Sequence, residues 1–215
     1  SVPGGSPAHP LLSLALSGSR SSVNEDNEEK DSVTIFEAMG RGIDINFIMK
    51  VIVEKLCNNV QFWHNEDSVL EETLAVFVDF VSSYSGSKTL LGLETVNFMV
   101  HNHVGQHFPF LGYDSDNKHR TTFYAALSRL VFSSSEDLNN CFDTFIAPNL
   151  AIIEQLSQLD NMRQRPEAKL AIIGAMRDFR GITSSAYSRR TYNLLFEALY
   201  PAIFPLLNRI AEEWA

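Results

Sequence analysis

The sequence predicts an all-α fold in which antiparallel helix pairs stack in a row, and three observations carry that prediction. Apolar residues recur at spacings of three and four almost everywhere from Val33 onward, as amphipathic helices require. No segment sustains the two-residue alternation of a half-buried strand. Helix starts fall near residues 43, 89, 137 and 189, so the pairs follow one another every 46–52 residues or about that.

The first 32 residues are a different material. Ser1 to Arg20 is rich in Ser, Gly and Pro, and Ser21 to Ser32 is polar and acidic, carrying Glu25, Asp26, Glu28 and Glu29. Such a stretch buries too little apolar surface to offset the entropy lost on ordering, so residues 1–32 are expected to be a flexible segment. Its acid run is either a solubilising block or a contact for a basic partner. Residues 33–215 are expected to hold the helical array, with approximate pairs at 43–84, 89–133 and 137–181 and an incomplete fourth at 189–215.

Each helix has its own local signal. Ile45, Ile48, Ile52, Leu56 and Val60 mark the first, with Val51 and Trp63 widening the stripe. Glu66-Asp67-Ser68 offers an acidic, cap-bearing first turn to the second, whose apolar face is Leu70, Leu74, Phe77, Val81 and Tyr84 and whose end is Ser85-Gly86-Ser87. Thr89 to His103 reads as one helix through Leu91, Val96, Phe98 and Val100. After a connection from Gly105 to Lys118, Arg120 to Phe132 carries Phe123, Leu127 and Leu130.

Ser133-Ser134-Ser135-Glu136-Asp137 stops that helix and caps the next, which runs through Leu138, Phe142, Phe145, Ile146, Leu150, Ile153 and Leu156 to about Leu159. Pro166 stands at a first helical turn, and Leu170, Ile173, Met176 and Phe179 lead its helix to Gly181. The last stripe, Tyr192, Leu195, Leu199, Ile203, Leu206 and Ile210, passes Pro201 and Pro205, where a kink or break is expected. Paired helices on this period are the mark of HEAT or armadillo arrays, here about three and a half repeats of an α-solenoid. A single compact bundle is the alternative.

Composition narrows the function classes. The chain has 215 residues, 45% of them hydrophobic, and 26 acids against 17 bases give a formal charge of −9. A surface of that sign repels phosphate backbones and the bases do not cluster, so no direct nucleic-acid partner is expected. Cys57 and Cys141 stand far apart without a CxxC partner, which suggests neither a disulfide scaffold nor a thiolate metal site and fits a reduced compartment. The longest apolar region, Ile43 to Val53, is interrupted by Asp44, Asn46 and Lys50, so no membrane span is expected. A start at Ser1 and a helical pattern that runs to Ala215 read as a piece of a longer protein.

Chemistry-bearing groups are sparse. His101-Asn102-His103 precedes His107, and imidazoles at 103 and 107 would share a helix face in the spacing that holds metals. No Cys, Asp or Glu lies between Asn97 and Gly112 to complete a shell, so polar residues closing a helix end compete with a histidine-metal hydrolase. Arg177 and Arg180 lie one turn apart near Gly181, where they either oppose the negative end of a helix dipole or contact a partner. Without a Gly-rich phosphate loop or a nucleophile elbow, neither an enzyme nor a cofactor is expected.

Four stretches in order carry a family resemblance. Leu93 to His103 with His107 to Gly112, Arg120 to Leu130, Arg177 to Ile182 and Leu195 to Pro201 resemble the exportin-7 and Ran-binding-protein-17 group of the importin-β superfamily. The resemblance covers roughly Ile43 to Trp214. It implies an internal segment of a long HEAT-repeat transport receptor, without the amino-terminal repeats that chiefly bind Ran in that family. It also implies the partners of the parent protein: Ran in its GTP state, protein cargo and FG-repeat nucleoporins. The parent is then a monomer shuttling between nucleus and cytoplasm. A helical-repeat scaffold independent of Ran is the alternative.

Overall fold

The computed structural model describes residues 45–82, 89–133 and 138–215. The expected flexible segment 1–32, with Glu25, Asp26, Glu28 and Glu29, lies outside the described residues, as do Tyr84 and Ser85-Gly86-Ser87. The long elements are α1 (Ile45–Phe62), α2 (Asp67–Ser82), α3 (Glu94–His101), α4 (Arg120–Ser133), α5 (Leu138–Ser157), α6 (Pro166–Ser184) and α7 (Arg189–Trp214). Short 3₁₀ turns occupy Pro109–Leu111 and Met162–Gln164, and no strand occurs among the described residues.

The helices pair in sequence and stack in two rows. The connecting segments turn the chain back on itself, so that α1 lies against α2, α3 against α4, and α5 against α6. The first helices follow one another, α1 on α3, α3 on α5 and α5 on α7; the second helices do likewise, α2 on α4 and α4 on α6. This is an all-α array of antiparallel pairs, each pair burying its apolar face against its neighbours.

The closest approach is between α4 and α6, and the sequence of α6 shows why. Ala168, Ala171, Gly174, Ala175 and Gly181 give it a buried face of small residues. A Cβ at Gly174 would stand 2.6 Å from the Ser115 carbonyl oxygen. One at Gly181 would collide with the Thr121 carbonyl and lie 2.8 Å from the Tyr124 Cβ. No side chain larger than hydrogen fits at either place, so the backbones meet at a distance that only glycine permits. Beneath this contact, Phe108, Phe110, Phe123, Tyr124 and Phe145 interlock edge-on or tilted, with ring centroids 5.4–6.3 Å apart.

Several local expectations change. The helix read from Thr89 to His103 is broken at Gly92 and Leu93, whose amides close a tight turn onto the Thr89 and Leu90 carbonyls. The inner face of α1 is Val53, Leu56, Cys57 and Val60, whereas Ile48, Val51 and Trp63 are 40%, 46% and 52% exposed. The expected stripe is thus rotated about the helix axis. The α6 helix runs past Gly181 to Ser184, because that glycine serves close packing rather than termination.

No break occurs at Pro201 or Pro205, and α7 continues through both. The two prolines are exposed and four positions apart. The carbonyls that lose an amide partner, at Glu197 and Pro201, are therefore on the exposed side, where water satisfies them. By length and composition α7 is also apolar enough to cross a membrane, contrary to the sequence expectation. In this fold its Leu195, Leu199 and Leu206 are buried in helix packing, while Tyr192, Phe196, Tyr200, Phe204 and Leu207 are exposed.

Candidate interaction surfaces

The most elaborate polar arrangement is internal. Arg120, at the first position of α4, is almost fully buried; its Nε donates to Asp178 Oδ1 at 2.7 Å and its Nη2 to Oδ2 at 2.6 Å. Its Nη1 donates to the carbonyls of Gly112 and Ser115 at 3.0 and 3.1 Å. The planar fork of the guanidinium matches the carboxylate and ties the α3–α4 connection to α6 of the following pair. Burial pushes the Asp178 carboxyl up to about 6, against the opposing pull of Arg120. Burial also weighs against the Arg120 charge, but bonding to Asp178 leaves that guanidinium shifted upward. Every contact here closes inside the fold, so the pair is a brace and presents nothing to a ligand.

The three histidines do not converge. His103 is buried, with Nδ1 3.1 Å from the Tyr124 hydroxyl and its ring packed against Tyr124 and Phe145. Burial pushes its pKa down to about 4, so it is neutral at physiological pH. His101 is exposed and its Nδ1 bonds the Asn97 carbonyl at 2.7 Å, whereas His107 stands edge-on to Phe98. Each imidazole answers to a different local partner, and no shared ligand position exists for a histidine-metal hydrolase.

Asp67, Glu71 and His119 are the set, among the described residues, whose ligand atoms lie within 4.8 Å of one another. The Lys118 ammonium already sits there, 2.6 Å from Asp67 and 3.7 Å from Glu71, while His119 Nε2 meets Asp67 at 2.7 Å. Hydrogen bonds from Lys118 and then His119 hold the Asp67 carboxyl below its usual range. The cluster is an ion-pair network that ties α2 to the residues leading into α4, with the Lys118 ammonium offsetting part of its acidic charge.

The sequence-selected arginines divide by exposure. Arg180 is exposed on α6, and Arg177 is half-buried with its carbonyl accepting from Thr121 Oγ1 at 3.1 Å. Neither falls in the last turn of α6, so opposition to the helix dipole is not their role. The stretch from Arg177 to Gly181 works chiefly through Asp178 in the brace, which sequence reasoning passed over, through Phe179 in the core, as its apolar stripe predicts, and through Gly181 at the close contact, where a helix end was expected.

An exposed aromatic surface on α7 was missed for a different reason. Tyr192, Phe196, Tyr200 and Phe204 recur every four positions on α7 and are all exposed. Phe196 and Tyr200 stack at 5.1 Å, and Tyr200 and Phe204 at 5.7 Å. With Thr183, Ala186 and Leu207 they line an open groove of about 390 Å³. The aromatic period was legible, but Tyr192 had been assigned to the buried stripe, and periodicity alone does not separate a buried face from an exposed one.

A family model described as "Exportin-7-like, TPR domain" matches residues 16–119. Exportin-7-B of Xenopus laevis is 33% identical over 178 residues, covering 80% of this chain and 16% of the relative. Ran-binding protein 17 of Homo sapiens is 33% identical over 177 residues with the same coverage. Exportin-7 of Dictyostelium discoideum is 32% identical over 173 residues, covering 80% of this chain and 17% of the relative. No solved structure matches the chain. The chain spans about a sixth of the length of these relatives. With a matching family model and relatives aligned along four-fifths of its length, the chain belongs to the exportin-7 and Ran-binding-protein-17 group, as a segment of a much longer protein.

Proposed function

We propose that this chain is a segment of a nuclear transport receptor whose parent protein binds protein cargo and Ran in its GTP state and passes through nuclear pores. The observation that carries the reading is the relatedness of 80% of the chain to proteins named exportin-7 and Ran-binding protein 17. The physics supports it. In an array of helix pairs each repeat contacts mainly its neighbours, so small rotations at successive junctions add up and the molecule can wrap a large partner. A formal charge of −9 favours basic protein partners and disfavours nucleic acid, acting more on encounter and selection than on raw affinity.

In this reading the parent shuttles between nucleus and cytoplasm as a monomer and works without a cofactor or a catalytic step. Contacts with FG-repeat nucleoporins are individually weak and numerous, so that transit stays fast. The acid run at Glu25, Asp26, Glu28 and Glu29 is a contact for basic surface on a partner. The test is binding of the full-length parent to Ran loaded with GTP or with GDP. Selective binding of the GTP form is expected. Equal binding to both forms overturns the transport reading and returns the chain to a Ran-independent scaffold.

A further inference from the structure

One arginine at the surface reaches three consecutive helix pairs. Arg129, toward the end of α4, donates from Nη1 to Ser82 Oγ, the last residue of α2, at 2.9 Å. Its Nη2 donates to the Tyr187 hydroxyl at 2.7 Å, and its guanidinium carbon lies 5.3 Å from the centre of that ring. Tyr187 stands on the link between α6 and α7, outside any helix, and is 74% exposed.

As it stands this contact is weak, because a neutral hydroxyl and a solvent-facing ring hold a cation loosely. Its geometry is that of a phosphate seat. A guanidinium presents five N–H donors in a planar fork that matches phosphate oxygens, and each Nη carries two of them. A phosphate on the Tyr187 oxygen can therefore be gripped while Ser82 keeps its bond. Two hydroxyls meet this guanidinium, and their surroundings separate them. Ser82 Oγ donates to the Val78 carbonyl at 2.7 Å in the last turn of α2. A phosphoryl group there loses that donor, faces the carbonyl and lies at the negative end of the helix dipole. The Tyr187 hydroxyl accepts from Arg129 at the end of a long side chain that carries it clear of its own backbone.

We propose that Tyr187 is a tyrosine phosphorylation site whose phosphoryl group is bound by Arg129, so that modification fastens the α6–α7 link to α4 and, through Ser82, to α2. The group transferred is the γ-phosphoryl of ATP. Its bond to the β–γ bridging oxygen breaks, a bond to Tyr187 Oη forms, the hydroxyl proton passes to the kinase and ADP leaves. An added charge of about −1.5 to −2 pairs an ionised acceptor with the ionised donor in a two-pronged bond. In a stacked array, a tie across three pairs restricts rotation at two junctions at once. The inference rests on this contact and stands whether or not Ran binds.

The test uses the parent-length protein and a tyrosine kinase chosen because it phosphorylates a synthetic peptide of residues 181–190, whose one tyrosine is Tyr187. With ATP, mass spectrometry is expected to place phosphate at Tyr187 of the folded protein. Modification of the peptide but not of the folded protein overturns the site. The seat is tested on parent protein carrying phosphotyrosine at position 187, installed by codon suppression. A phosphatase is expected to remove that phosphate at least about fivefold more slowly than from the same protein with Arg129→Leu, because the phosphate must first leave the guanidinium. Equal rates overturn the proposal. Amide hydrogen exchange gives a second reading. The last turn of α2 and the α6–α7 link are expected to exchange more slowly once Tyr187 is phosphorylated, and Arg129→Leu is expected to abolish the difference. Slowing that survives Arg129→Leu contradicts the proposal.

Discussion

At Gly181 a single methyl group decides how closely two helices approach. Gly181→Ala places a Cβ against the Thr121 carbonyl and the Tyr124 Cβ, neither of which is the free end of a flexible chain. Overpacking of this kind costs roughly 1–3 kcal/mol, so urea denaturation of the variant is expected to show its midpoint lowered by that equivalent. A midpoint equal to that of the parent sequence would show that α4 and α6 are not in contact there. The Arg120–Asp178 brace makes a sharper prediction. Arg120→Met leaves a buried carboxylate without its partner and is expected to cost about 3–5 kcal/mol. The double variant Arg120→Met/Asp178→Leu should recover most of that loss, because no charge then remains buried. If the double variant is as unstable as the single one, the pair does not function as a unit.

His103 gives a pH signature whose sign follows from its burial. Its folded pKa of about 4 lies below the ordinary value of 6.5. Between these values the unfolded chain holds a proton that the folded chain lacks, so stability is lost as pH falls through that window, by about 3 kcal/mol in all. Asp178 acts oppositely: its folded pKa of about 6 lies above the ordinary value, so its contribution is present at low pH and lost as pH rises through 6. The two partly cancel. The informative quantity is therefore the stability difference between the natural sequence and His103→Gln, followed from pH 4 to 7. That difference should vary with pH, and a flat difference would place His103 in water. None of these roles was legible beforehand. A buried histidine, an exposed one and a ligand have the same letter, and a glycine that ends a helix cannot be told from one that lets two helices touch.

At the scale of the element, the sequence was a good guide to where helices lie and a weaker guide to which way they face. The amphipathic period, the acidic start at Asp67 and the first-turn proline at Pro166 all placed helices correctly. The facing of α1 was misread because Ile48 and Val51 are as apolar as Val53 and Cys57, and only contact with α2 and α3 selects among them. The α7 helix was expected to kink or break at its prolines, and it continues unbroken through both, which lie on the exposed side, where solvent takes over the freed carbonyls. Proline inside a helix still carries an intrinsic penalty of about 3 kcal/mol relative to alanine, partly offset by its stiffening of the unfolded chain. Pro201→Ala and Pro205→Ala are each expected to raise the thermal midpoint. A lowered midpoint for either would show that the proline makes a contact the helix depends on.

The described residues are governed by one regularity: consecutive helix pairs contribute to two rows, and together the two rows take in all seven long helices. This regularity was legible in the spacing of helix starts, because a repeat that buries its face only against neighbours must recur at a fixed interval. Close inter-pair contacts were not legible, since they depend on residues distant in sequence, such as Arg120 and Asp178 or Thr121 and Gly181. Function at this scale belongs to the parent, of which the chain is about a sixth by comparison with its relatives. Structure determination of that parent by electron cryomicroscopy tests the account most directly. It should show α1 to α7 as consecutive members of two helical rows, with Arg120 bound to Asp178 across the α4–α6 junction. A parent in which these helices instead close around a single centre would contradict it.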